Sequence, residues 1–398
     1  MEVSMDFETL KAAEAQYVLP TYGRNDIFLD HGQGARVWDS NGREYIDLTS
    51  GIGVLSLGQN HPALSAALQK QVEQLLSVSN LFYTEPMVQA ASLLVPASGM
   101  KKVFFANSGA EANEGAIKCA RKYAADHYGP NRYKILTLVN SFHGRTIATL
   151  EATGQDHFHQ NFFPFTNGFD YVEANNIEDL KAKADENTAA IMVELIQGES
   201  GVRPLDPEFV KAIEELCHEK DILFIDDEVQ TGMGRTGRLF AYQNYGVHPD
   251  IVTMAKGLGG GVPIGGFLVN EKTEGVLGKG DHGSTFGGNP LSAKAAQVVL
   301  ETILADGFLE DVERKGTLLQ DLLKEIKSPD VLDVRGLGLM VGIQVPAEKV
   351  ADYMKEIMDR GVLVLKAGTD TIRLLPPLVI TDDDLKEAAS IMKEVFEA

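Results

Sequence analysis

From about His61 to Asn270 the chain alternates short apolar runs with segments of helical periodicity, and few folds accommodate that pattern. VFFAN (103–107), YKILTLVN (133–140), AAIMVELI (189–196), ILFID (222–226), IVTMA (251–255) and GGFLVN (265–270) read as strands, and EFVKAIEELCHEK (208–220) as one intervening helix. Such alternation predicts a mostly parallel sheet with helices on both faces. Residues 1–60, with short β-like pieces such as GARVWDS and REYIDL, read as an N-terminal arm and part of a small domain. A large domain over 61–300 follows, ending near the long helix of NPLSAKAAQVVLETILADG. Helices near 309–327, 347–360 and 382–396 around short strands predict a small α+β domain over 301–398.

At 398 residues the chain can bury a large core. A net charge of −21 argues against nucleic acid or an anionic membrane as partner. Positive charge for an anionic substrate must then come from individual arginines. The acidic start MEVSMDFETL lacks the apolar core of a secretory signal, and no apolar run approaches a membrane span, so the cytoplasm is the expected compartment. Cys119 and Cys217 are the only cysteines, and no C-x-x-C spacing for zinc exists; both read as small buried side chains, with no metal site expected.

The chemistry concentrates in two motifs. Lys256 in IVTMAKGLGGGVPIGG follows Asp227 in ILFIDDEVQTGMGRTG by 29 residues, and each stands where an apolar run gives way to a glycine-rich turn. A lysine and a carboxylate facing one crevice suit pyridoxal phosphate: the lysine binds its aldehyde and the carboxylate keeps its ring nitrogen protonated. A solvated surface lysine, the usual fate of lysine, needs neither the apolar strand before it nor the glycines after it. Asp226 competes with Asp227, and only one of two neighbours in a strand can face the site; the D-E-V-Q unit favours Asp227. Gln230 is either a donor to the ring hydroxyl or a plain loop glutamine. In FFANSGAEANEGAIKCARKYA, Ser108 and Glu111 fit a capping box. Ser108, Gly109 and Ala110 also place small residues and open amides at a helix N-terminus, where a phosphate binds readily. Without a lysine and carboxylate elsewhere, a well-capped helix would be the better explanation of that motif.

SGAEANE, FHGRT, QGESG, DEVQTGMGRTG, AKGLGGGVPIG, STFGGNP and IRLLPPL occur in an order that resembles class III pyridoxal phosphate aminotransferases, from about residue 20 to the C-terminus. Within that class the likeness is to the acetylornithine aminotransferase group. The resemblance implies an aspartate-aminotransferase-like (fold type I) homodimer with shared active sites, built from a doubly wound, mostly parallel sheet domain and a small α+β domain. It implies that Lys256 binds the cofactor and shuttles a proton, that Asp227 partners the pyridinium, and that Gly109 and Ala110, beside Ser108, bind the phosphate. Phe142 would stack on the ring, and Thr285 would reach the phosphate of the neighbouring subunit.

Arg145 resembles the residue that holds the α-carboxylate of acetylornithine, with Ser284 as a minor contact. Arg373 resembles the residue that grips the α-carboxylate of 2-oxoglutarate. Glu199 would cover Arg373 while the ω-amine is bound and release it for the keto acid. The implied reaction converts N-acetylornithine and 2-oxoglutarate to N-acetylglutamate 5-semialdehyde and glutamate, a step of arginine synthesis.

The chain also departs from the group. Leu55 and Gln59 stand where many members carry Asn and His, and the same stretch lacks the tyrosine with which ornithine δ-aminotransferases hold a free α-amine, which favours an acylated donor. Ornithine, succinylornithine and 4-aminobutyrate remain alternative donors. An aminomutase or decarboxylase is a second reaction type on the same scaffold, and a non-catalytic binding protein is a remote third.

Overall fold

The computed structural model describes residues 5–398, so the first four residues of the acidic amino terminus lie outside the described part. Seven strands form the central sheet: β1 (Lys102–Ala106), β2 (Lys134–Leu138), β3 (Phe169–Val172), β4 (Thr188–Val193), β5 (Leu223–Asp227), β6 (Ile251–Met254) and β7 (Gly265–Val269). Their order is β1-β7-β6-β5-β4-β2-β3, and β7 alone runs antiparallel to its neighbours. Every residue of β4 to β7 is buried, which is why these strands read as unbroken apolar runs. β3 has no such signature. It is four residues long, sits at the sheet edge and fully buries only Val172, so the sequence pattern passes over it.

Helices cover both faces. The Gly109–Tyr128 helix packs Ala116, Ile117, Cys119 and Ala120 against Ile135, Met192, Leu223, Ile225 and Ile251. On the opposite face the Pro207–Lys220 helix sets Phe209, Ile213 and Cys217 into a core with Ile191, Phe224 and Val252. The cysteines are free, buried and on opposite sides of the sheet. Because side chains alternate along β5, Asp227 shares the face of Leu223 and Ile225, while Asp226 shares that of Phe224.

The GARVWDS and REYIDL pieces become strands Arg36–Asp39 and Glu44–Asp47, which join Leu29–Gln33 in a second sheet. Val362–Leu363, from the C-terminal part, completes that sheet by pairing parallel to Glu44–Asp47. A third, antiparallel sheet contains Thr371–Leu374, the strand that carries Arg373. Around it lie helices Phe308–Lys324, Val350–Asp359 and Asp382–Phe396. The helix Phe7–Tyr17 was not foreseen: Asp6 caps it, and none of its residues is buried within this chain. No helix among the described residues is long and apolar enough to cross a membrane.

Candidate active site

The carboxyl ends of β1, β2, β5 and β6 converge on a cavity of about 580 Å³, in the crevice where open parallel sheets take their ligands. Ser108, Gly109, Ala110, Phe142, Arg145, Asp227, Gln230 and Lys256 all line it. Asp227 ends β5 and is surrounded by donors. Its Oδ2 accepts from Asn113 Nδ2 (2.8 Å) and His143 Nδ1 (2.7 Å), and its Oδ1 from the Val229 amide (3.0 Å) and the Thr253 hydroxyl (3.3 Å). These bonds fix the carboxylate at the cavity wall. Asp226, on the other face, is fully buried without a hydrogen-bond partner.

Lys256 stands just beyond β6 with φ of 40°, a left-handed conformation that costs a non-glycine residue about 1–3 kcal/mol. Its ammonium makes no ion pair or hydrogen bond among the described residues. Burial pushes the pKa of this amine below its ordinary value, Glu199 pulls it back up, and Arg373 lowers it again. A lowered pKa leaves more of the neutral, nucleophilic amine.

The turn after β1 forms a cup. Ser108 Oγ accepts from the Glu111 amide (3.2 Å), while the Glu111 carboxylate reaches back to the Asn107 amide (2.8 Å), one residue earlier than a strict capping box. A Cβ on Gly265 would fall 2.4 Å from the Ser108 carbonyl, so only glycine lets β7 run so close beneath the start of the helix. A Cβ on Gly109 would meet the Val229 side chain at 2.7 Å, so a larger residue there must displace that side chain. The first amides of the helix have no intrahelical acceptor and stand at the positive end of its dipole, which suits a phosphate dianion.

A second cluster adjoins the cavity. Arg373 Nη1 donates to Glu199 Oε1 (2.7 Å), Gln230 Oε1 (3.0 Å) and the Gly198 carbonyl (3.1 Å). Gln230 Nε2 in turn donates to Glu199 (3.2 Å), so this amide is engaged with the ion pair as well as lining the cavity. Burial raises the Glu199 pKa, but Arg373 and then Lys256 outweigh it and hold the carboxyl below its ordinary value. Arg145 differs. It is exposed, with no carboxylate partner among the described residues, and its guanidinium lies over the rings of Phe158 (4.0 Å) and Phe142 (5.5 Å).

Ser284 and Thr285 lie elsewhere, in an outer groove with Asn80, Leu81 and Met87. Ser284 Oγ accepts from Asn107 Nδ2 and the Gly287 amide, both at 3.0 Å, and does not line the cavity of its own chain. Leu55 packs against the cavity residue Gly261, whereas Gln59 exchanges backbone bonds with Gly34 away from the cavity.

Several residues on the cavity escaped the sequence reading, among them the polar side chains Tyr22, Asn107, Asn113, His143 and Glu194. Asn113 carries a legible signal, since it lies one helical turn after Gly109 on the same face. Glu194 does too, as the one charge inside the apolar run AAIMVELI. Burial pushes its carboxyl up to about 7, and it accepts from the Phe142 (2.9 Å) and Gly198 (3.3 Å) amides. His143 carries a signal in its place between Phe142 and Arg145 of FHGRT, whereas Tyr22, brought in by the path of the arm, carries none.

The residues present fit pyridoxal phosphate, with an amine of lowered pKa, a carboxylate held by four donors, and a helix N-terminus cleared of side chains. Residues 18–396 match the profile of the class III aminotransferases. An acetylornithine aminotransferase of Haemophilus ducreyi is 51% identical over 394 residues, which cover 98% of this chain and 99% of that protein. The chain belongs to the class III aminotransferases. These enzymes depend on pyridoxal phosphate, and the fold is the type I fold of that class. An N-acetylornithine aminotransferase from Stenotrophomonas maltophilia superposes with a TM-score of 0.84 at 38% identity, covering 96% of this chain and 97% of that one. An ornithine aminotransferase from Toxoplasma gondii, in which pyridoxal phosphate partly occupies the active site, gives 0.94 at 36% identity, covering 98% and 94%.

Proposed function

We propose that this aminotransferase moves the δ-amino group of N-acetylornithine to 2-oxoglutarate, as a cytoplasmic homodimer acting in arginine synthesis. The single observation that carries this reading is the contrast between Arg145, on the cavity, and Arg373, in the cluster beside it. Arg145 is open and Arg373 is covered by Glu199 at 2.7 Å. An ω-amine donor carries its carboxylate at the end remote from the reacting amine, so it can point the amine at Lys256 and the carboxylate at Arg145. 2-Oxoglutarate carries a carboxylate at each end, and its keto carbon reaches Lys256 only if the adjacent carboxylate takes Arg373 from Glu199. Guanidinium groups suit both tasks because they grip carboxylates with two parallel bonds.

Bound pyridoxal phosphate supplies the electron sink that makes the substrate carbon acidic. Lys256 Nζ takes the proton from that carbon and returns it on the other side of the exchange. Asp227 keeps a proton on the ring nitrogen, Ser108, Gly109 and Ala110 hold the phosphate, and Phe142 covers the ring.

For the donor, relatives named for acetylornithine support the acylated substrate, and solved neighbours named for ornithine support its rival. The arm stretch GIGVLSLGQ places Val54 on the cavity and supplies no tyrosine there, which supports the acylated donor. The dimer rests on Leu81, Phe82, Tyr83 and Phe286, large apolar side chains exposed around the groove that holds Thr285. A second copy covering them would also bring Thr285 to a neighbouring phosphate. We keep the division into an arm over 1–60, a cofactor domain over 61–300 and a small domain over 301–398. A coupled assay of glutamate formation tests the donor: turnover with N-acetylornithine well above that with ornithine supports the reading, and the reverse order overturns it.

A further inference from the structure

We propose that Phe158 is a positioning residue for amine-donor recognition, a ring that holds Arg145 in the pose that meets the donor carboxylate. The proposal rests on the reading of Arg145 above and deepens it. An exposed arginine with no ion-pair partner ordinarily samples many rotamers, and that freedom is lost each time a ligand binds. Here the guanidinium carbon lies 4.0 Å from the Phe158 centroid, closer than to the Phe142 ring at 5.5 Å. A cation over a ring face is attracted to its negative centre, while the guanidinium edge stays free to donate.

The ring itself is held. Phe158 meets Phe142 edge-on at 6.0 Å, and its neighbour His157 packs on it at 3.9 Å. The short Asp156–His159 turn is anchored by His159 Nε2 at the Leu150 (3.0 Å) and Thr153 (2.7 Å) carbonyls, and by Gln155 Nε2 donating to the Ser141 carbonyl (2.9 Å). Phe142 and Arg145, both on the cavity, thus share one support. Phe158 also borders the outer cavity beside Glu199, so a ligand that meets Arg145 and not Arg373 isolates its effect on donor recognition.

The test is calorimetric binding of N-acetylnorvaline, the donor skeleton without its reacting amine, to the holoenzyme and to Phe158→Ala, Phe158→Tyr, Arg145→Ala and the Phe158→Ala/Arg145→Ala double variant. Phe158→Ala is expected to weaken binding about 3- to 30-fold, the range a cation–ring contact supports. Phe158→Tyr restores binding, and Phe158→Ala adds little once Arg145 is gone. Wild-type circular dichroism and cooperative thermal unfolding show that each variant is folded. Wild-type affinity in Phe158→Ala, or a full additional loss in the double variant, overturns the proposal. Wild-type affinity in Arg145→Ala overturns the reading of Arg145 itself, and this proposal with it.

Discussion

Arg373 and Glu199 stand 2.7 Å apart, and the arginine, 2% exposed, has no other carboxylate within reach among the described residues. A buried guanidinium with one acidic partner is a site that only another carboxylate can take over, because leaving the charge unpaired costs several kcal/mol, about 3–5. Glu199 also borders an outer cavity of about 1100 Å³, so it has somewhere to go when displaced.

Removing the cover should therefore change which substrates are admitted. Glu199→Ala is expected to slow the half-reaction with N-acetylornithine and to speed that with L-glutamate, whose α-carboxylate then finds Arg373 free. Single-turnover rates for the two amines measure the ratio, and an unchanged ratio contradicts the masking role.

Arg373→Ala should act on the other half. It is expected to weaken the 2-oxoglutarate half-reaction about a hundredfold, in line with the loss of a buried charge pair. The N-acetylornithine half-reaction should change far less. Equal losses in both would deny the division of labour between Arg373 and Arg145.

The two adjacent aspartates separate cleanly. Asp227→Asn should cut turnover by at least about a hundredfold, as removal of a preorganised charge at a reacting system does. Asp226→Asn should leave most activity, since its side chain lies on the far face of β5. The opposite ranking in a kcat comparison would exchange their roles.

Asp226 should instead govern stability. Burial, then its neighbour Glu228, raises its pKa well above the ordinary carboxylate value. As pH rises from the unfolded value towards the raised folded one, the unfolded chain releases a proton that the folded chain keeps, so stability falls with increasing pH. Asp226→Asn lacks that loss. Its apo-protein is expected to melt about 2 °C or more above the wild type at pH 8, with a smaller gain at pH 5. A gain that shrinks with rising pH in thermal melts would contradict the sign.

Much of the fold and of the site is legible in the sequence alone. The fully buried strands announced themselves as apolar runs, and Asp227 and Lys256 stood at the ends of two of them, where a parallel sheet gathers its ligands. The edge strand Phe169–Val172 was silent because a half-buried edge carries no apolar run. The helix Phe7–Tyr17 was silent because it buries nothing in its own chain. Within the site, residues adjacent to a motif in sequence could be found, whereas those gathered by tertiary structure could not. Tyr22 reaches the cavity through the arm, and the bond that joins His143 of FHGRT to Asp227, across 84 residues of chain, has no local signature.

The most direct test is single-turnover absorbance of the purified holoenzyme mixed separately with N-acetylornithine, ornithine and 4-aminobutyrate. Fast bleaching of the cofactor band by N-acetylornithine, slow bleaching by the other two, and recovery on adding 2-oxoglutarate are the expected result. Faster bleaching by ornithine or 4-aminobutyrate would contradict the assigned donor, and no bleaching by any amine would contradict the reaction itself.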